Sequence, residues 1–149
     1  MQSGSITRAR FQPFANALLV VSLLANAWYW LDSEAVPELD KVVVKVPLQD
    51  NLFFYGARDN SGGATTSFSY RYYITQESGD DASVLEKLAH AQAFLVSDDD
   101  AVKVSQNQGA MTLEVKGRVL QYRSDALVNT TDGLKNLHFT LQQAPAPRP

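Results

Sequence analysis

Cysteine is absent from the 149 residues. That removes disulfides, thiolate zinc sites, a cysteine nucleophile and lipid anchoring on cysteine together. Histidine numbers only 2, so imidazole metal sites and general bases have little to draw on. Basic residues are not in excess: Lys and Arg total 13 against 16 Asp and Glu, a net charge of −3. The footprint of a nucleic-acid binder is therefore missing. The spacing of a phosphate-binding loop and the setting of a nucleophilic serine are missing too. No internal repeat is visible. The chain is expected to be no enzyme, to hold no cofactor or metal, and to have no nucleic-acid partner.

Charge is missing altogether from Phe11–Leu31 (FQPFANALLVVSLLANAWYWL), while Arg8 and Arg10 precede it and Asp32, Glu34, Glu38 and Asp40 follow. A helix of that length spans roughly 30 Å of hydrocarbon. Pro13 lies near its start, where a helix tolerates proline. Trp28, Tyr29 and Trp30 close the run with amphipathic rings suited to a membrane–water interface. The run is apolar on every face, unlike a helix half-buried in a soluble core. Arginines before and acids after predict a cytoplasmic N-terminus and an exported remainder. Ala17–Leu24 followed by Ala25-Asn26-Ala27 also reads as a signal-peptide core with a cleavage site, but the bulky apolar residues beyond it favour a retained anchor. Ser22 and Asn26, four apart, share one face, where polar groups can meet a partner helix or simply mark a helix end.

The predicted organisation is a cytoplasmic tail over 1–10, a transmembrane helix or uncleaved signal anchor over 11–31, a linker over 32–40, a folded domain over 41–143 and a proline-rich, disordered tail over 144–149. In the domain, Lys41–Val46 alternates as a strand with Val42, Val44 and Val46 on one face, stopped at Pro47. Leu52–Tyr55 and Thr65–Thr75 form a hairpin through the turn-rich Arg58–Gly63. In the second of these strands Phe68, Tyr70, Tyr72 and Ile74 oppose Ser67, Ser69, Arg71 and Tyr73. Ser83-x-x-Glu86 has the form of a capping box, with Asp80 and Asp81 at the positive helix end. Val84, Leu85, Leu88, Ala91 and Leu95 then follow at helical spacing. Further strands are predicted around Val102–Val104, Met111–Lys116, Arg118–Arg123 and Leu137–Leu141, with turns at Asn107-Gln108-Gly109 and Asp132-Gly133. One helix among six or seven strands predicts an α+β domain with a mainly antiparallel sheet and the helix packed on one face.

Chemistry has few places to sit. Gly62-Gly63-Ala64 lacks the lysine and helix of a phosphate cradle and reads as a hairpin turn. Asp98-Asp99-Asp100 lacks the alternate spacing of a calcium loop and reads as a solvated turn. His90 falls off the core stripe of the helix. His138, between Leu137 and Phe139, faces solvent or a partner. No pair among the acids stands out for glycosidase chemistry. Asn129-Thr130-Thr131 matches a glycosylation sequon, which carries nothing in a bacterial host. The aromatic set Phe53, Phe54, Tyr55, Phe68, Tyr70, Tyr72 and Tyr73 is the strongest local bias. Alternation puts Arg71 and Tyr73 on the face away from the core, as candidates for binding a partner together with His138. The bland reading of the same residues is cross-strand pairing within the sheet.

Asp59–Ile74, and within it Gly63-Ala64-Thr65-Thr66-Ser67-Phe68-Ser69, resembles a strand of small uncharacterised bacterial membrane-anchored envelope proteins, where a cysteine often stands in the place of Gly62. Phe94–Asp98 (FLVSD) and Gly117–Tyr122 (GRVLQY) are similar to their general layout. The likeness covers about a third of the chain. It implies a bacterial, envelope-facing domain and carries over no catalytic residue. Asp32–Pro149 holds 11 basic and 16 acidic residues, near −5, which suits a basic protein partner through steering. The expected function is a membrane-anchored periplasmic interaction domain, an accessory subunit of an envelope complex or an immunity-type inhibitor. The alternative is a periplasmic small-ligand module using an exposed aromatic face.

Overall fold

A computed structural model describes residues 6–32, 36–62, 67–107 and 110–144, with side chains for residues 13–29 in the first stretch. The chain divides into two units, Met1–Ala35 and Val36–Pro149. The first is one helix, α1 (Ile6–Asp32, 27 residues), about 40 Å long at 1.5 Å per residue. It starts five residues before the uncharged run, so Pro13 lies two turns inside the helix rather than at its start. Every described side chain from Pro13 to Tyr29 is exposed. Asn26 Nδ2 donates to the Ser22 carbonyl at 3.0 Å, closing that polar group onto its own helix. Among the described residues, no helix is long and apolar enough to cross a membrane.

The second unit is α+β. Its elements are β1 (Leu39–Pro47), β2 (Phe53–Asp59), β3 (Ser69–Thr75), α2 (Asp81–Ala89), β4 (Leu95–Ser97), β5 (Lys103–Asn107), β6 (Ala110–Val115), β7 (Val119–Tyr122), β8 (Asp125–Thr130) and β9 (Gly133–Gln143). They form two sheets, ordered β1-β2-β3-β4-β7 and β5-β6-β9-β8. All pairs are antiparallel except β6 with β9. The expected mainly antiparallel α+β character therefore holds, but as two sheets face to face rather than one.

Between the sheets lies the larger core: Phe54, Tyr72, Phe94 and Leu95 meet Met111, Leu113, Val128, Leu137 and Phe139. Phe94 stacks on Phe139 with centroids 4.3 Å apart. Gly56 is required here, because a Cβ would stand 2.6 Å from the Tyr72 ring and 3.1 Å from Val44. On the other face of the first sheet, Tyr55, Ala57, Tyr73 and Val96 pack under Val84 and Leu88 of α2.

Several local expectations are corrected. β1 begins at Leu39, inside the stretch read as linker, because Asn60 N–H bonds the Glu38 carbonyl (2.9 Å) and Glu38 N–H bonds Ser61 Oγ (3.0 Å). Val42, Val44 and Val46 do not share a face: an irregularity between Val42 and Val44 sends Val42 under α2 and Val44 and Val46 into the larger core. An extra residue in one strand shifts its side-chain alternation in this way. The cap of α2 is Asp80, not Ser83: its carboxylate accepts from Ser83 N–H (3.3 Å) and Ser83 Oγ (2.6 Å). The helix is shorter than its apolar spacing suggests. It ends at Ala89 with His90 as C-cap, and Leu95 belongs to β4. β8 was hidden in the stretch between Arg123 and the Asp132-Gly133 turn. Gly109, Gly63–Thr66 and the tail from Pro145 lie outside the described residues.

Candidate interaction surface

The side chains singled out from the sequence are placed on different surfaces. Arg71 lies in β3 on the α2 side of the first sheet. Its Nε donates to Asp59 Oδ2 at 2.6 Å, with side-chain exposures of 27% and 4%. Asp59 also accepts from the Ser61 N–H (3.0 Å) and the Ser61 hydroxyl. Burial works to raise the Asp59 carboxyl, but the Ser61 and Arg71 bonds outweigh it and hold the group below the ordinary carboxylate range. Alongside, Arg58 grips Asp40 through two bonds, of 2.8 and 2.6 Å. The Arg58 guanidinium lies 4.7 Å from the centroid of the Phe68 ring, which is exposed. Arg71 is thus engaged in closing the end of the sheet and offers only part of its surface.

Tyr73 is only 2% exposed, which corrects its placement on an outer face. The alternation was read rightly; the face it points to is covered by α2. Its hydroxyl is buried and, among the described residues, has no hydrogen-bond partner, and burial pushes it up to about 12. Tyr72, facing the larger core, instead donates to the Asp99 carbonyl. The exposed aromatic face does not form: Phe54, Tyr55, Tyr72 and Tyr73 are all buried, and of the set Phe68 stays open.

His138 is exposed, as expected, on the outer face of the second sheet. It stands across from Asp125 of β8. On the same face Leu127 and Leu134 are 65% and 69% exposed, facing Asn136 and Asn129 across the ladder. These two leucines were missed in the sequence reading. The signal was available: Val128 and Leu137 point inward, so Leu127 next door and Leu134 three away must point out. His90, on α2's C-terminus, is also exposed and lies far along the chain from any of these pairs. Trp28 and Tyr29 are 75% and 77% exposed; the Trp30 side chain lies outside the described residues.

The acidic triplet is not a simple solvated turn. Asp99 is 9% exposed, and its carboxylate accepts from Lys116 N–H (2.6 Å) and Ala101 N–H (3.0 Å), while Asp98 accepts from Arg118 N–H. A Cβ on Gly117 would stand 2.2 Å from Asp98 Oδ1, so glycine there lets the two segments close. Among the described residues no group of three or more His, Asp or Glu is arranged to hold a metal. A polar cavity of about 290 Å³ lies by the β8–β9 turn, lined by Asp50, Gln76 and Thr130 among others. It is spanned by the Lys135–Asp50 ion pair. A smaller one, about 150 Å³, runs between Gln92–Phe94 and Asp125–Leu127.

Comparison with protein-family models, with curated proteins and with solved structures finds no match for this chain.

Proposed function

We propose that this chain is a single-pass protein of the bacterial inner membrane. In this reading its N-terminus is cytoplasmic and its domain is a periplasmic interaction module: an accessory subunit of an envelope complex or an immunity-type inhibitor. One observation carries the anchor. Phe14, Leu18, Leu19, Val20, Val21, Leu23 and Leu24 are all more than half exposed along α1. Burying one such side chain is worth about 1.5–3 kcal/mol. Seven of them left in water forgo on the order of 10 kcal/mol, comparable with the whole stability of a small domain. Lipid is the cover that suits a helix apolar on every side. The uncharged sequence, Phe11–Leu31, also extends beyond the 13–29 stretch of described side chains at both ends.

The interaction surface in this reading is the outer face of β8 and β9, with His138, Leu127 and Leu134. Arg71 contributes at most an edge elsewhere, and Tyr73 contributes nothing. The test is reporter fusion at the C-terminus. An alkaline phosphatase fusion is expected to be active and a fluorescent protein fusion dark, with the chain in the alkali-resistant membrane fraction. The opposite pattern, or an intact chain in the soluble fraction, overturns the reading. For the surface, Leu134→Glu is expected to abolish capture of an envelope protein while leaving the circular dichroism unchanged; undiminished capture overturns it.

A further inference from the structure

Among the described residues the two sheets have four edges: β1, β7, β5 and β8. Edges invite pairing, and proteins blunt them with lysine, proline, bulges or shortness. β1 carries Lys41, Lys45, Pro47 and two register irregularities. β7 is four residues long with an irregularity against β4. β5 carries Lys103. β8 (DALVNT) has no lysine, arginine or proline, and its six pairs with β9 run in unbroken register.

Its free groups can be assigned. Phe139 N–H donates to the Ser124 carbonyl at 2.8 Å, which sets the antiparallel alternation. Even-numbered residues bond toward β9; the N–H and C=O of Asp125, Leu127 and Asn129 turn outward. Among the described residues those outward groups make no bond. Arg123 N–H is taken by the Phe94 carbonyl (2.8 Å), so the open edge starts at Asp125. The 150 Å³ cavity lies there, with Asp125, Ala126 and Leu127 on the strand side and Gln92, Ala93 and Phe94 of the same chain opposite them. Consecutive residues line a space beside a strand's edge; a space over its face is lined by alternate ones.

We infer that β8 pairs antiparallel with β8 of a second copy, across a two-fold axis at Leu127. The strand matches itself in that register. Leu127 meets Leu127, covering a leucine that is 65% exposed. Asp125 falls opposite Asn129, whose amide donates to the carboxylate. The two Asp125 charges stand about 14 Å apart at 3.4 Å per residue, whereas a parallel pairing sets them face to face. Such a contact is isologous and closes on itself. It takes Leu127 from the partner surface proposed above and leaves His138 and Leu134 of that surface free.

The absence of cysteine makes the test clean. Full-length protein in detergent carrying Leu127→Cys is expected to form a disulfide-linked dimer on mild oxidation, since paired residues there stand about 5.5 Å apart at Cα. Leu134→Cys, equally exposed but off the edge, is expected to give at least tenfold less. Leu127→Lys is expected to halve the mass measured by sedimentation at micromolar concentration without changing the circular dichroism. The inference is overturned if wild type sediments as a monomer, if the two cysteine variants cross-link alike, or if the dimer survives Leu127→Lys. A cross-link from Leu127→Cys to a different protein also overturns it. None of these readouts depends on where the N-terminal helix resides.

Discussion

On one face of β2 and β3, Phe54 and Tyr72 meet Phe94, Leu113 and Phe139 across from the second sheet. On the other, Tyr55 and Tyr73 meet Val84 and Leu88 of a nine-residue helix. Neighbouring tyrosines in one strand thus enter two different interiors. Tyr72 has its hydroxyl bonded to the Asp99 carbonyl, with Val102 N–H donating to it at 3.4 Å. Tyr73 has a hydroxyl with no partner among the described residues. The sheet–sheet core is large and polar-satisfied; the helix-covered one is small and keeps one group unpaired. The lesson is that a strand residue's environment is set by what is laid over its face, which its own alternation does not reveal.

The largest break in that comparison is expected from Phe94→Ala. It removes the ring stacked on Phe139 at the centre of the sheet–sheet core and costs about 3–5 kcal/mol in urea unfolding. Leu88→Ala, under a short helix that can settle inward, is expected near the low end for a buried leucine, about 2–3 kcal/mol. Equal losses at the two sites would remove the distinction between the cores.

The hydroxyls sharpen it further, because opposite signs are expected. Tyr72→Phe leaves the Asp99 carbonyl and Val102 N–H unpaired and costs about 1–2 kcal/mol. Tyr73→Phe removes a buried group that has no partner, and is expected to be neutral or to stabilise by up to about 1 kcal/mol. A matching loss at both positions would mean that Tyr73 finds a partner in solution.

The smallest effect concerns pH. The Asp59 carboxyl is held below its ordinary value in the folded protein, with burial opposed by the Ser61 and Arg71 bonds. Its contribution is therefore present above the unfolded value, near 3.9, and is lost as pH falls through the lower folded one. Stability measured from pH 6 down to pH 2 is expected to fall less steeply below pH 4 in Asp59→Asn than in wild type. An unchanged acid limb would show that the Asp59–Arg71 pair contributes nothing there.

Much of the fold was legible where one physical signal acted alone. Met111, Leu113 and Val115 alternate inward as their pattern says. The Asp132-Gly133 turn closes β8 onto β9, with Gly133 at a φ of 115° that favours glycine. The misreadings each have a competing cause. Val42 changed face because of a register irregularity that leaves no mark in composition. Leu95 fitted helical spacing, but three residues of β4 gain more from pairing between β3 and β7 than from a further helical turn. Asp99 resembled a solvated acid until Lys116 and Ala101, distant or adjacent in sequence, brought their N–H groups to it. For the candidate surface, His138 was found by alternation, whereas Tyr73 was misplaced by assuming a single core.

The sequence by itself determined the periodic pieces: a long uncharged apolar run at the start, the hairpin of β2 and β3, and the inward sets of β6 and β9. These follow from rules acting over a few neighbouring residues, side-chain period and turn chemistry above all. Only the tertiary structure decided that there are two sheets, that α2 covers Tyr73, and that β8 ends at an open edge. Those outcomes depend on which segments, tens of residues apart, come to lie against each other, and local pattern holds no record of that choice.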